Sequence, residues 1–91
     1  MLKIFRRKQF KRDYKRMLQQ KGHTPEQFAT VLEYLVNEEP LPEKYCDHPL
    51  KGNYIGYREC HILPDWLLIY KVEQDRLTLV LTRTGSHSDL Y

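Results

Sequence analysis

The stretch YIGYRECHILPDWLLIYKVEQDRLTLVLTRT, residues 54–84, decides the fold. From Tyr54 to Ile62 its residues alternate, which puts Tyr57, Glu59 and His61 on one face of a strand and Cys60 and Ile62 on the other. Leu63-Pro64-Asp65 has the composition of a turn. Trp66 to Val72 is apolar on both faces, as a central strand requires. Gln74-Asp75 then reads as a hairpin connection and Arg76 to Thr84 as the last strand, ended by Gly85 and followed by a short tail to Tyr91. Together these segments predict a three-stranded antiparallel meander.

Towards the N-terminus the period changes to that of a helix. Phe10, Tyr14, Met17 and Leu18 fall at i, i+4, i+7 and i+8, with basic residues on the opposite face. Gly22 is expected to stop this helix. Thr24-Pro25-Glu26-Gln27 opens a second one: threonine at the N-cap, proline at the first helical position and glutamine placed to close a capping box. Phe28, Val31, Leu32, Leu35 and Val36 form its apolar stripe. Leu2-Lys3-Ile4-Phe5 can supply an opening or edge strand, and residues 37–53, with Pro40, Pro42, Pro49 and Gly52, read as loop. The expected fold class is α+β: an N-terminal strand and a helical hairpin packed on one face of a small, mostly antiparallel sheet. The other sheet face must then be polar, or bind something.

Ninety-one residues have room for one modest core, so residues 1–91 are expected to be a single domain. The net charge of +3 conceals an asymmetry. Residues 1–21 carry nine Lys and Arg against the single acid Asp13, while the rest carries six basic and eleven acidic groups. A one-signed block of this kind is the electrostatic footprint of a phosphate-backbone binder, and it is otherwise a solvated helix face. Lys8, Lys11, Arg12, Lys15 and Arg16 are its candidate RNA contacts on the first helix. Two cysteines, no apolar leader after Met-Leu-Lys-Ile-Phe-Arg-Arg and no apolar run approaching ~20 residues lead to the expectation of a soluble, reduced, cytoplasmic protein with no membrane partner.

Chemistry concentrates in the polar half. Asp47-His48-Pro49-Leu50, Arg58-Glu59-Cys60-His61, Pro64-Asp65-Trp66 and Arg83-Thr84-Gly85-Ser86-His87 supply three histidines, two aspartates and arginines. Histidine both gives and takes a proton near neutrality. Cleaving a phosphodiester without a metal requires a base for the 2′-hydroxyl, an acid for the 5′-oxygen and a cation for the phosphate. His48, His61, Asp65, Arg83 and His87 are the candidates, Arg83 as the cation. Trp66, at the start of a strand, is either core or a platform for a base. Asp47 can orient His48 or only cap a turn. No metal and no cofactor is expected: Cys46-x-His48 with Cys60-His61 offers zinc ligands, but Cys60 and His61 should point to opposite faces, and no C-x₂₋₄-C pair exists. Ser86, His87 and Asp89 lie in one short tail without a nucleophile elbow, which rules out a serine hydrolase.

In this order and spacing, DHPLKG (47–52), YRECH (57–61), PDWLLIY (64–70) and RTGSH (83–87) resemble the YafQ-type toxins of the RelE/ParE superfamily. The resemblance covers nearly the whole chain and implies the toxin of a bacterial type II toxin–antitoxin system. It implies a RelE-like fold and a ribosome-dependent endoribonuclease, an mRNA interferase that cuts the codon in the A site and leaves a 2′,3′-cyclic phosphate or 3′-phosphate. On the matching positions, His87 would be the general acid, Asp65 with His61 or His48 would supply base and orientation, and Arg83 would hold the scissile phosphate. Trp66 and Tyr91 would contact RNA. The family commonly ends in phenylalanine where this chain has Tyr91, which keeps an aromatic ring and adds a hydroxyl. The implied partners are a co-encoded antitoxin that wraps the toxin, the ribosome and its mRNA, and operator DNA only through the antitoxin. Two other functions fit the same pattern, a ParE-like gyrase-directed toxin without RNA chemistry and a noncatalytic RNA-binding module.

Overall fold

The computed structural model describes residues 1–91. In chain order its elements are β1 (Lys3–Arg6), α1 (Lys8–Met17), α2 (Pro25–Val36), β2 (His48–Pro49), β3 (Arg58–Leu63), β4 (Trp66–Glu73), β5 (Thr78–Gly85) and α3 (His87–Leu90), with single 3₁₀ turns at Glu43–Tyr45 and Gly52–Tyr54. The sheet has five strands in the order β1-β5-β4-β3-β2. β1 runs parallel to β5, and every other pairing is antiparallel. This is the expected α+β arrangement, with the opening strand added at one edge. No helix is long and apolar enough to cross a membrane.

The helical hairpin forms for the reasons its pattern suggested. Thr24 Oγ1 accepts the Gln27 backbone N–H at 3.3 Å, and the Gln27 side chain accepts the Thr24 N–H at 3.0 Å, closing the capping box above Pro25. Phe10 and Tyr14 of α1 pack on Phe28 of α2 with ring centroids 5.8 and 4.9 Å apart. Phe10, Met17, Phe28, Val31, Leu35 and Val36 then bury against Cys60, Ile62, Trp66, Leu68, Tyr70, Leu79 and Leu81, so the hairpin covers one face of the sheet. α1 ends at Met17, earlier than Gly22; Gly22 instead supplies a left-handed residue, φ +87°, to the turn before α2.

Several further segments depart from the sequence expectation. Residues 54–57, read as the start of a strand, stay outside it, and β3 begins only at Arg58. Residues 37–53 are not all loop. His48 and Pro49 pair with Glu59 and Arg58 and become the outer strand, a place where proline's missing N–H costs the sheet nothing. The C-terminal tail is not extended. Ser86 and Asp89 form a reciprocal capping box and start α3, which buries Leu90. Gly85 makes that turn possible, since a β-carbon there would stand 2.9 Å from that of Asp89.

A further departure is a β-bulge in β5. Ile69 lies opposite Arg83, whereas the next residue, Tyr70, lies opposite Leu81, so Thr82 is the inserted residue. Strict alternation would have turned Arg83 to the helix side with Leu79 and Leu81. The bulge resets the parity, re-aiming Arg83 to the uncovered face and Thr84 to the covered one.

Candidate active site

The uncovered face is built by cross-strand register. His48 of β2 lies opposite Glu59 of β3, which lies opposite Ile69 of β4, which lies opposite Arg83 of β5. One step along, His61, Leu67 and Gly85 form a second row. Leu67, Ile69 and Leu90 make an apolar floor with Leu50, Tyr54 and Tyr57 packed on it. α3 then folds back so that His87 joins the end of the histidine line.

Three imidazoles stand in sequence along this groove, His48 and His61 with ring centroids 6.3 Å apart and His61 and His87 5.8 Å apart. Each has a carboxylate beside it. Glu59 Oε1 is 3.5 Å from His48 Nε2 and 3.7 Å from His61 Nε2. Asp65 Oδ1 is 3.1 Å from both the backbone N and the ring Nδ1 of His87. The backbone N–H and then the ring of His87 hold the Asp65 carboxyl below its usual range. An acceptor at Nδ1 leaves the Nε2 of His87 facing solvent, where it can give or take a proton. The side chains of His87 and Asp65 are 59% and 69% exposed, so a substrate can reach them directly.

Arg83 shares the face but is held differently. Its Nε donates to Asp13 Oδ2 at 2.7 Å, and the same oxygen accepts the Thr84 backbone N–H at 3.2 Å. β1 stops at Arg6, opposite Leu81, so beyond it Asp13 of α1 takes the place of a strand partner along β5. Gln9 donates to the other oxygen of Asp13 at 2.9 Å. The lone acid of the basic block is thus the anchor of Arg83. Burial pushes the Asp13 carboxyl up, but the bonds from Arg83, Gln9 and Thr84 and the arginine charge outweigh it and hold it below the ordinary 3.8. Its contribution to stability is therefore complete above that value and lost as pH falls through the depressed native value. Urea melts at a series of pH values should show this acid-side loss in the wild type. Asp13→Asn should lack it and lose about 1–3 kcal/mol at neutral pH, because an amide cannot satisfy all three donors.

Several expectations are corrected here. Trp66 is not available to a base: it is completely buried, its indole N–H donates to Thr84 Oγ1 at 2.8 Å, and the His23 ring lies over it at 4.6 Å and 8°. Its parity is that of Leu68 and Tyr70, the helix-covered side of the sheet. Asp47 does not orient His48. It accepts from Arg58 at 3.1 Å and from the Tyr70 hydroxyl at 2.5 Å, while the Cys46 carbonyl accepts from His48 Nδ1 at 2.6 Å. Cys60 and His61 do lie on opposite faces.

Tyr91 is exposed at the groove rim, 6.2 Å from the Tyr54 ring, and its hydroxyl donates to Glu59 Oε2. Lys8, Lys11, Arg12, Lys15 and Arg16 are exposed along α1, and Arg16 also lies 3.5 Å from Asp13 and 3.7 Å from Asp89. Glu59, Asp13 and His23 are the residues that motif reading passed over. Glu59 had one readable signal, its strand parity with His61. For Asp13 and His23 the partners are tertiary.

Fold and groove together define a class: a small cationic α+β domain with a histidine–carboxylate line across the bare face of its sheet. The chain belongs to the YafQ family, bacterial toxins of type II toxin–antitoxin systems, whose sequence model matches residues 2–91. It is 44% identical over 88 residues to the mRNA interferase toxin YafQ of Escherichia coli K12, covering 91% of this chain and 88% of that one. It is 40% identical over 91 residues to a putative toxin YafQ of Haemophilus influenzae, covering 96% and 89%. A metal-bound toxin of Helicobacter pylori superposes with a TM-score of 0.92 at 43% identity, each chain covered in full. A chain of the Escherichia coli DinJ–YafQ complex superposes at 0.85 with 37% identity, covering all of this chain and 99% of that one.

Proposed function

We propose that this toxin is an endoribonuclease that cuts mRNA in the ribosomal A site by acid–base catalysis from its own side chains. The observation that carries the reading is the line of His48, His61 and His87, with centroid spacings of 6.3 and 5.8 Å and a carboxylate beside each ring. A groove that only bound RNA would need cations and aromatic faces, not imidazoles held by carboxylates. The mRNA interferase name of the Escherichia coli relative supports the same chemistry.

In this scheme one histidine removes the proton of the 2′-hydroxyl, whose oxygen attacks phosphorus. His87 protonates the departing 5′-oxygen from Nε2, with Asp65 holding Nδ1. The products are a 2′,3′-cyclic phosphate and a 5′-hydroxyl. Arg83, tethered by Asp13, faces the phosphate charge that develops between them. The exposed Lys8, Lys11, Arg12 and Lys15 give α1 a cationic surface suited to rRNA. The Tyr91 ring lies at the rim, where a base can stack. A co-encoded antitoxin is the natural inhibitor, a partnership supported by the solved DinJ–YafQ complex of the Escherichia coli relative. Transcripts and ribosomes place the action in the cytoplasm.

Mapping mRNA ends by primer extension after induction tests the reading. Breaks phased with the reading frame, and absent when translation initiation is blocked, are the expected result. Intact mRNA accompanied by DNA damage would overturn it in favour of a gyrase-directed toxin. Tight ribosome binding with no cleavage at any pH would overturn it in favour of a binding module.

A further inference from the structure

Glu59 is a buried carboxylate on the groove face, 4% exposed, and the acid–base scheme above names it only as the neighbour of two imidazoles. Its two oxygens are divided. Oε1 faces the Nε2 atoms of His48 and His61 at 3.5 and 3.7 Å, and Oε2 accepts the Tyr91 hydroxyl. At these distances the contacts are ion-pair rather than hydrogen-bond contacts, and an ionised carboxylate, with only acceptor sites, favours a hydrogen over a lone pair on the nitrogen turned towards it.

We infer that Glu59 is a positioning residue that fixes the tautomer of His61, and that the Tyr91 hydroxyl in turn fixes Glu59. For its kinetic consequence this rests on the endoribonuclease reading; for its geometry it does not. With Nε2–H turned to Glu59, the lone pair of neutral His61 lies on Nδ1, on the side of the ring away from the carboxylate. His61 Nδ1 is then the nitrogen that takes the 2′-hydroxyl proton. His48 is held otherwise. Its Nδ1 already donates to the Cys46 carbonyl at 2.6 Å, which leaves its neutral ring without a second hydrogen to turn towards Glu59. One turnover leaves His61 protonated and His87 deprotonated, and exchange with solvent restores both.

The Tyr91 hydroxyl makes the idea testable by an isosteric change. In Glu59→Gln the Tyr91 O–H still requires an acceptor, which holds the amide carbonyl on its side. The amide NH₂ is then directed at the two imidazoles. His61 must answer with its Nε2 lone pair, and its hydrogen moves to Nδ1, the wrong nitrogen for a base. With the fold intact, kcat should fall by about 10²-fold or more while KM changes little, the range lost when a general base is disabled. Adding Tyr91→Phe frees the amide to rotate. The double variant Glu59→Gln/Tyr91→Phe should recover at least about tenfold of kcat over Glu59→Gln alone, since the carbonyl can again face His61.

Imidazole ¹⁵N spectra read the same event without RNA. Wild-type protein should show the Nε2–H form of neutral His61, and Glu59→Gln the Nδ1–H form. An Nδ1–H form in the wild type would overturn the inference, and that measurement needs no variant. So would a double variant no more active than the single one. If the wild type cleaves no RNA, the endoribonuclease reading fails, and the nitrogen spectra still decide the role of Glu59.

Discussion

Replacing His87 with alanine lowers RNA cleavage by about 10²–10⁴-fold, the usual contribution of one proton-transfer group, and leaves the protein folded. The reason for both halves lies in how the side chain is held. Its ring is 59% exposed and makes no core contact, so truncation leaves no cavity. The bond from the residue 87 backbone N–H to Asp65 remains in alanine, as does the Ser86–Asp89 capping box that starts α3. A surface change of this kind moves stability by no more than about 0.5 kcal/mol. Urea melting midpoints of the two proteins should therefore coincide while cleavage rates diverge. Growth arrest by His87→Ala equal to wild type would sink the mechanism.

Trp66→Ala should do the opposite and remove the fold. The indole is fully buried in the main core. Its N–H satisfies Thr84 Oγ1, which itself donates to the Leu67 carbonyl at 2.6 Å, and the His23 ring covers its face. Truncating a buried tryptophan costs about 3–5 kcal/mol, a large share of the roughly 5–15 kcal/mol that stabilises a domain. Denaturant titration of the purified variant measures this. Trp66→Phe separates core from RNA contact: it keeps most of the apolar volume and loses one buried hydrogen bond, about 1–2 kcal/mol. Below its own midpoint Trp66→Phe should cleave RNA at close to the wild-type rate. A drop in cleavage at full foldedness would return Trp66 to the substrate.

The contrast between these two residues marks the limit of what is legible in the chain. The helical hairpin could be read because capping boxes and apolar stripes are local signals, each set by residues within one or two turns. Of the three long strands, β3 could be read from period two, β4 from an apolar run and β5 from the hairpin connection before it. What failed to show were features settled by distant partners. Pro49 becomes part of a strand only because β3 offers it an edge. Arg83 reaches the groove through a bulge at Thr82 that no local composition announces. Trp66 has the same neighbours in sequence whether it faces RNA or the helices, and only the covering of one sheet face decides. The histidine line itself was legible as a set of residue types. Its carboxylate support was half legible: Asp65 through its motif, Glu59 only through parity with His61.

The parallel pairing of β1 with β5 carries a consequence for the birth of the molecule. Lys3 lies beside Thr78, a partner synthesised seventy-five positions later. At cellular elongation speeds that interval is on the order of 4–15 s, during which the opening strand has been made and has nowhere to dock. Arg83 and His87 are added after that partner begins to appear. A nascent chain still being translated therefore holds His48 and His61 without Arg83 and His87. The groove becomes complete only once β5 and α3 have been made and the first strand has its partner.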